Sequence, residues 1–348
     1  MSPGDESGRS SASLLAPLAE ILRQERDRTV PADTRLLYYL GALFVIFFSV
    51  EVATGILLMI YYRPSAQAAY YSIGIITDEV RLGWLVRSVH RWCSDLIIAF
   101  SFLYVIWVYF SRAYRPPRQL NWVLGILVLI LVLTLGFTGT LLPWDQYAYW
   151  YTDSARQTIA AVPLLGNAIL ALIWGGWEIG EEVLLRFYAF HAGVLPWLAT
   201  SLLFLHVLLV WRFGITDAPA GDNDSRRALI PFIPDFLLTL FIAALILGGL
   251  LLSVAVFAPP SLSGRADPLL PLTHIHPRWY LLPLRELLRA LAGGMAALIV
   301  IAFSLVVFLV PLIDRGRRRS TSRKVLQPAV GVLVIGAWVV LGVLGYLR

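Results

Sequence analysis

The chain has 348 residues, of which 58% are apolar and only 14% charged, with a mean hydropathy of +0.74. Soluble domains carry about a quarter charged residues, so these values exclude a water-soluble core, a disordered scaffold and a small disulfide-built domain. The single cysteine, Cys93, excludes an internal disulfide and a multi-cysteine zinc or iron–sulfur site. The net charge of +6 reads as basic membrane loops, with no nucleic-acid partner expected.

In chain order, residues 1–36 form a tail. Asp5 and Glu6 precede any apolar run, which argues against a signal peptide. Leu14, Leu15, Leu18, Ile21 and Leu22 recur at helical spacing and predict a short amphipathic helix on the membrane surface, a partly disordered tail being the alternative. A bilayer-crossing helix needs about 20 mostly apolar residues. Stretches near 37–62, 83–110, 121–142 and 187–211 meet that requirement and define a four-helix first domain over 37–213. The polar run GITDAPAGDNDSRR marks a linker over 214–228. Spans near 231–257, 290–313 and 327–347 then form a three-helix second domain over 229–348. The predicted fold class is an all-α integral membrane protein with seven spans. Two loops are long, Pro143 to Arg186 and Ala258 to Arg289, and loops of that length usually carry function. Within the first, Val162 to Trp174 is apolar enough for a short interfacial helix.

Arg112, Arg115 and Arg118 follow the second span, and Arg212, Arg226 and Arg227 follow the fourth. Arg315, Arg317, Arg318, Arg319, Arg323 and Lys324 follow the sixth. The positive-inside rule places these loops and the N-terminal tail in the cytoplasm, and both long loops outside a bacterial-type plasma membrane. Glu51 stands as the lone clear acidic residue within a span. The absence of paired carboxylates there argues against a transporter.

Three of the five histidines, His90, His191 and His206, fall in or at the edge of spans, where an ionisable group is costly and tends to be functional. His191 and His206 lie 15 residues apart, about 22 Å along one helix. That is too far for one ion but suits two flat cofactors stacked across a bilayer, and haem iron takes axial imidazole. Gly41 and Gly55 in the first span, and Gly125 and Gly139 in the third, are each 14 residues apart. Each pair therefore shares a helix face at two depths, where missing side chains admit a bulky ring; helix–helix packing is the competing explanation.

These residues, with the segments GWLVRSVHRW (83–92), LPWDQ (142–146), IWGG (173–176), RFYAFHAGVLPW (186–197) and LTHIHPRWY (272–280), give the chain a family likeness. It resembles cytochrome b of the quinol-oxidising cytochrome bc complexes from about Arg35 to Asp314. The first half is similar to the photosynthetic form, and the fused second half is similar to its subunit IV. The resemblance implies that four helices clasp two b haems. His90 and His191 would ligate the outer one, with Gly55 and Gly139 beside it and Arg87 at a propionate. His206 would ligate the inner one, near Gly41 and Gly125. It further implies quinone or quinol as substrate and a Rieske iron–sulfur protein or c-type cytochrome as partner. A homodimer embedded in membrane lipid is implied as well.

The family pattern breaks at two places. The inner histidine expected 14 residues after His90 is Tyr104. Three outcomes are open there: ligation by a tyrosine phenolate, a five-coordinate haem on His206 with Tyr104 bonded across the open position, or a pocket without haem. The Pro-Glu-Trp-Tyr motif, whose glutamate handles a quinol proton in the family, reads Pro277, Arg278, Trp279, Tyr280. Arginine cannot accept a proton, its pKa exceeding about 12. Asp145 and His276 are the nearby substitutes, with Tyr280 a further quinol-site candidate; an ordinary loop histidine is the alternative reading of His276. His274 holds the family's own histidine position. Tyr39 replaces the cysteine that attaches a further haem in photosynthetic relatives, so that haem is not expected. Cys93 reads as packing.

The expected function is a b-type cytochrome with one intact haem site. It exchanges electrons with the quinone pool at the outer face in a divergent bc-like complex without a full Q cycle. The alternatives are a conventional quinol–cytochrome c reductase subunit and a non-catalytic anchor for a peripheral redox enzyme.

Overall fold

The computed structural model of the chain describes residues 29–31, 35–214, 229–272, 275–291, 293–314 and 321–347. The predicted surface helix at Leu14–Leu22, most of the 214–228 linker and His274 lie outside them.

A short strand β1 (Thr29–Pro31) precedes α1 (Arg35–Met59), α2 (Ala69–Asp78), α3 (Gly83–Ser111), α4 (Gln119–Leu141) and α5 (Gln146–Ala160). Then come α6 (Gly166–Ile169) with a π turn at Leu170–Trp174, α7 (Glu181–Tyr188), a second π turn at Ala189–Val194, and α8 (Leu195–Phe213). β2 (Leu229–Pro231), α9 (Leu237–Phe257), α10 (Leu282–Ala290), α11 (Gly293–Ile313) and α12 (Thr321–Leu347) complete the order. Among the described residues, seven helical segments are long and apolar enough to cross a membrane, as expected. The fourth begins at Glu181, six residues before the predicted 187, because α7, the π turn and α8 run on as one rod.

α1 packs on α3, α3 on α4, and α4 on α8, which makes the predicted four-helix bundle. Its core between the two histidine levels is apolar, with Phe47, Ile98, Val132 and Ala199 buried. Cys93 is fully buried there and its thiol donates to the Phe47 carbonyl, consistent with a packing role. The later spans close around this bundle: α9 lies on α1 and α3, α11 on α4, and α12 on α3 and α10. Hydrogen bonds tie them at both ends. Ser88 Oγ donates to the Ala255 carbonyl at 2.7 Å and Trp92 Nε1 to that of Ala258 at 2.8 Å. At the opposite end Trp122 Nε1 donates to the Val307 carbonyl at 2.9 Å, and Arg115 pairs with Asp314 at 3.0 Å. β1 pairs antiparallel with β2, Val30 opposite Ile230, a small sheet that the all-α expectation lacked.

The long loops hold more helix than the sequence reading placed there. α5 starts where Asp145 caps it, its Oδ1 accepting from Ala148 N at 2.8 Å, an orphan donor of the first turn. Its other oxygen accepts from Ser263 N at 3.0 Å, so one side chain clamps the two long loops together. Within 162–174 the interfacial helix is divided: Leu170 and Trp174 are buried, whereas Leu164 and Leu172 face outward. Gly175 ends it at φ +79°, a left-handed conformation suited to glycine, and Arg186 packs across the missing side chain to reach the Leu172 carbonyl at 2.8 Å. That contact joins IWGG to the segment carrying His191.

Candidate functional site

His90 on α3 and His191 in the second π turn face each other at one depth, ring centroids 6.2 Å apart and planes 83° apart. The wide turn has a local cause: Pro196 lacks the N–H that an α-helix would offer to the Ala192 carbonyl, and such turns recur at functional sites. His191 Nδ1 donates to the Leu135 carbonyl at 3.0 Å, with Thr138 Oγ1 at 3.3 Å. That bond fixes the tautomer and leaves the Nε2 lone pair for a ligand. His90 Nδ1 is held in the same manner by Thr54 Oγ1 at 3.0 Å and Glu51 Oε1 at 3.4 Å. Thr54 already donates to the Val50 carbonyl, so it accepts from the imidazole. A metal–imidazole bond is about 2 Å, and the ring spacing admits one ion between them.

Among the described residues no three or more His, Cys, Asp or Glu gather to hold a metal by themselves. Two opposed imidazoles with no further protein donors fit an iron whose other four bonds come from a flat macrocycle. The glycines agree. A methyl on Gly139 would stand 2.6 Å from His191 Cε1, and one on Gly55 would stand 3.3 Å from His90 Cε1. We expect Gly139→Ala to push the His191 ring aside and lower the haem content per chain several-fold, and Gly55→Ala to cost less; a pyridine haemochrome assay checks both. Arg87 lies one turn before His90, and its Nη1 donates to the Pro260 carbonyl at 2.9 Å.

One level further along, Gly41 faces the Tyr104 ring and Gly125 faces His206, each added methyl standing 3.4 Å from the ring. His206 Nδ1 donates to the Asn121 carbonyl at 3.1 Å, fourteen residues from the Leu135 carbonyl that holds His191. The parallel ends at the other nitrogen. The Tyr104 hydroxyl lies 3.2 Å from His206 Nε2 and donates to the lone pair that would bind a metal. An ion bonded to both atoms would need them nearly 4 Å apart. Beside the pair is a cavity of about 20 Å³, lined by Arg118, Trp122 and the buried Asn121, whose Oδ1 has no partner; it has room for one water. Tyr39 stacks on Phe236, ring centroids 4.5 Å apart.

At the His90 end, the segment 275–281 closes over α3, α4 and α5. Tyr280 is buried, and its hydroxyl would meet a methyl on Gly136 at 2.8 Å. Tyr147 donates to the His276 carbonyl at 3.0 Å. Burial pushes the Tyr147 hydroxyl up to about 12 and raises that of Tyr280 as well, so at neutral pH both phenols donate and do not accept protons. Asp145 is buried with both oxygens on backbone N–H groups, a structural engagement. His276 is exposed.

Sequence reading missed the histidine holders Thr54, Thr138 and Glu51. The repeated Thr-Gly pair, Thr54–Gly55 and Thr138–Gly139, was the available signal, and it is absent at the second level, where leucine precedes each glycine. Glu51 is not the lone acidic residue in a span, contrary to the sequence expectation. Asp95 sits inside α3, and Glu181 and Glu182 begin the fourth span. Asp95 Oδ2 pairs with Arg91 at 2.5 Å, and its Oδ1 accepts from Trp279 Nε1 at 3.3 Å.

With this geometry in view, comparison with known proteins is direct. Residues 25–214 match the family described as Cytochrome b/b6/petB, and residues 265–348 match Cytochrome b(C-terminal)/b6/petD. Cytochrome b6 of Gloeobacter violaceus is 38% identical over 190 residues, 55% of this chain and 88% of that protein. The cytochrome bc complex cytochrome b subunit of Chlorobaculum thiosulfatiphilum is 36% identical over 306 residues, 86% of this chain and 71% of that protein. Among solved structures, a chain of a hyperthermophilic respiratory complex III is similar with a TM-score of 0.85 at 24% identity. The match covers 97% of this chain and 91% of that one, a likeness of fold.

Proposed function

This chain belongs to the cytochrome b family, and from that premise we propose that it oxidises quinol at its His90 face and carries electrons through a single bis-histidine haem b. It is a multi-pass membrane protein and the cytochrome b subunit of a bc-type complex. The observation that carries the single-haem reading is the contrast between the two levels. His191 keeps a free Nε2 lone pair opposite His90, whereas the His206 lone pair is taken by Tyr104.

His90 and His191 would hold the iron, Arg87 a propionate, and Gly55 and Gly139 the cleared faces. Haem bound there supplies a one-electron carrier, while its potential and position are the protein's to set. Thr54, Thr138 and the Leu135 carbonyl keep both imidazoles in the ligating tautomer. Tyr280 and Tyr147 shape the quinol side as hydrogen-bond donors. A full Q cycle needs an electron relay across the membrane, and Tyr104 interrupts it one level beyond His90. A Rieske iron–sulfur protein or c-type cytochrome would take the electrons at the same face, in a bacterial-type plasma membrane, with a homodimer the expected assembly.

Haem counting on the purified complex tests the reading. One haem b per chain, with one low-spin bis-imidazole species by EPR, is expected. Two such species would overturn it.

A further inference from the structure

We propose that Asp95 accepts a proton from the quinol at the His90 face, where Arg278 of the loop motif cannot. The proposal rests on the quinol-oxidising reading above and concerns a residue that reading does not use.

Three observations carry it. First, Asp95 is where the loop meets the bundle: Trp279, the neighbour of Arg278, donates to its Oδ1 from the indole at 3.3 Å, and Tyr280 next in sequence is seated against Gly136. The carboxylate thus lies at the junction of α3, α4 and the 275–281 segment. Second, it retains acceptor capacity. Arg91 holds Oδ2 at 2.5 Å, but Oδ1 has a single long bond and its side chain keeps 17% of its exposure. A carboxylate offers about four lone-pair sites. Third, Asp145 is engaged elsewhere: both of its oxygens accept from backbone N–H groups. Glu51 is buried, with Oε1 on His90 and Oε2 unpartnered. The charged and titratable groups facing Asp95 are Arg91 on its own helix, Glu51 from α1, Tyr147 from α5 and Tyr280 from the loop. The two protonated phenols can hold the quinol's oxygens as donors.

The step balances simply. Oxidation of one quinol to quinone releases two electrons and two protons. The electrons would be taken singly by two one-electron acceptors, a b haem that His90 and His191 would hold and an iron–sulfur centre of the partner. One quinol O–H bond breaks and its proton forms the neutral carboxylic acid of Asp95; the second proton leaves to solvent at the loop face. Asp95 then loses its proton to solvent and is again paired with Arg91.

The test uses the whole complex with decylubiquinol, following haem reduction by absorbance. Asp95→Asn, which keeps an acceptor for Trp279, should slow reduction about a hundredfold or more, the range of general-base catalysis. It should abolish the acidic limb of the pH–rate profile while leaving the haem spectrum unchanged. Redox-difference infrared spectra should lose a protonated-carboxyl band in that variant. Asp95→Glu should keep turnover with a displaced profile, and Arg278→Glu added to Asp95→Asn should recover part of the rate. A wild-type rate, profile and infrared spectrum in Asp95→Asn would overturn the proposal. If that variant assembles no haem, an undisplaced profile in Asp95→Glu overturns it instead. Wild-type protein that decylubiquinol does not reduce would remove the quinol reading itself, a separate outcome.

Discussion

Alanine at His191 should abolish the low-spin b-haem EPR signal, and alanine at His90 should do the same. Each change removes one of the two imidazoles that would hold the iron, and among the described residues no third His, Cys, Asp or Glu completes a metal-holding group there. The nearby hydroxyls of Thr54 and Thr138 are bonded to backbone carbonyls in their own helices. The Leu135 carbonyl, freed from His191, is a backbone group fixed in α4. Glu51 Oε1 approaches the Nδ1 side of His90, away from the ligating nitrogen. Loss of more than about nine-tenths of the low-spin signal is expected, with any residual haem high-spin. The assembled fold should survive, since its other contacts are spread over seven spans. Persistence of the low-spin signal in either variant would refute the ligand assignment.

Tyr104→His should have the opposite sign and a similar size. It removes the O–H that occupies the His206 lone pair and puts an imidazole in its place, opposite a histidine still oriented by the Asn121 carbonyl. The walls are already cleared, because Gly41 and Gly125 face these two side chains. The hydrogen bond given up contributes about 1 kcal/mol, small beside the binding of a haem through two imidazoles. A second low-spin species and a haem content approaching two per chain are expected in cells supplied with haem. A content that stays at one would mean that the apolar wall around the pair, and not its ligand, keeps the second level closed.

The distribution of legible features follows their physics. Seven spans and two histidine levels stood out because hydrophobic length and rare intramembrane imidazoles are strong signals with few competing explanations. The fourteen-residue glycine spacings were legible for the same reason; in the structure the four glycines lie against the rings of Tyr104, His90, His206 and His191. α2, α5 and α10 escaped because they are short helices in loops, recognisable only by caps such as Asp145 or by the proline entry of α10. Asp95 escaped for another reason. Its significance depends on Trp279, which is 184 positions away along the chain, and no local pattern announces such a pair. Asp145 was read as a proton acceptor from its place in LPWDQ, yet its oxygens turn out to clamp backbone. The Tyr104 break reaches its partner's other nitrogen: the phenol donates to His206 Nε2, while Nδ1 stays on the Asn121 carbonyl.

The contact between Tyr104 and His206 has an electrical meaning. An electron driven the full width of a bilayer does work of about 2.3 kcal/mol for every 100 mV of opposing potential. A protein that receives and returns its electrons on the same side of that hydrogen bond does almost none of this work. Its turnover would then run at nearly the same rate in an energised membrane as in a depolarised one, and a single phenol would decouple the cytochrome from the cell's voltage.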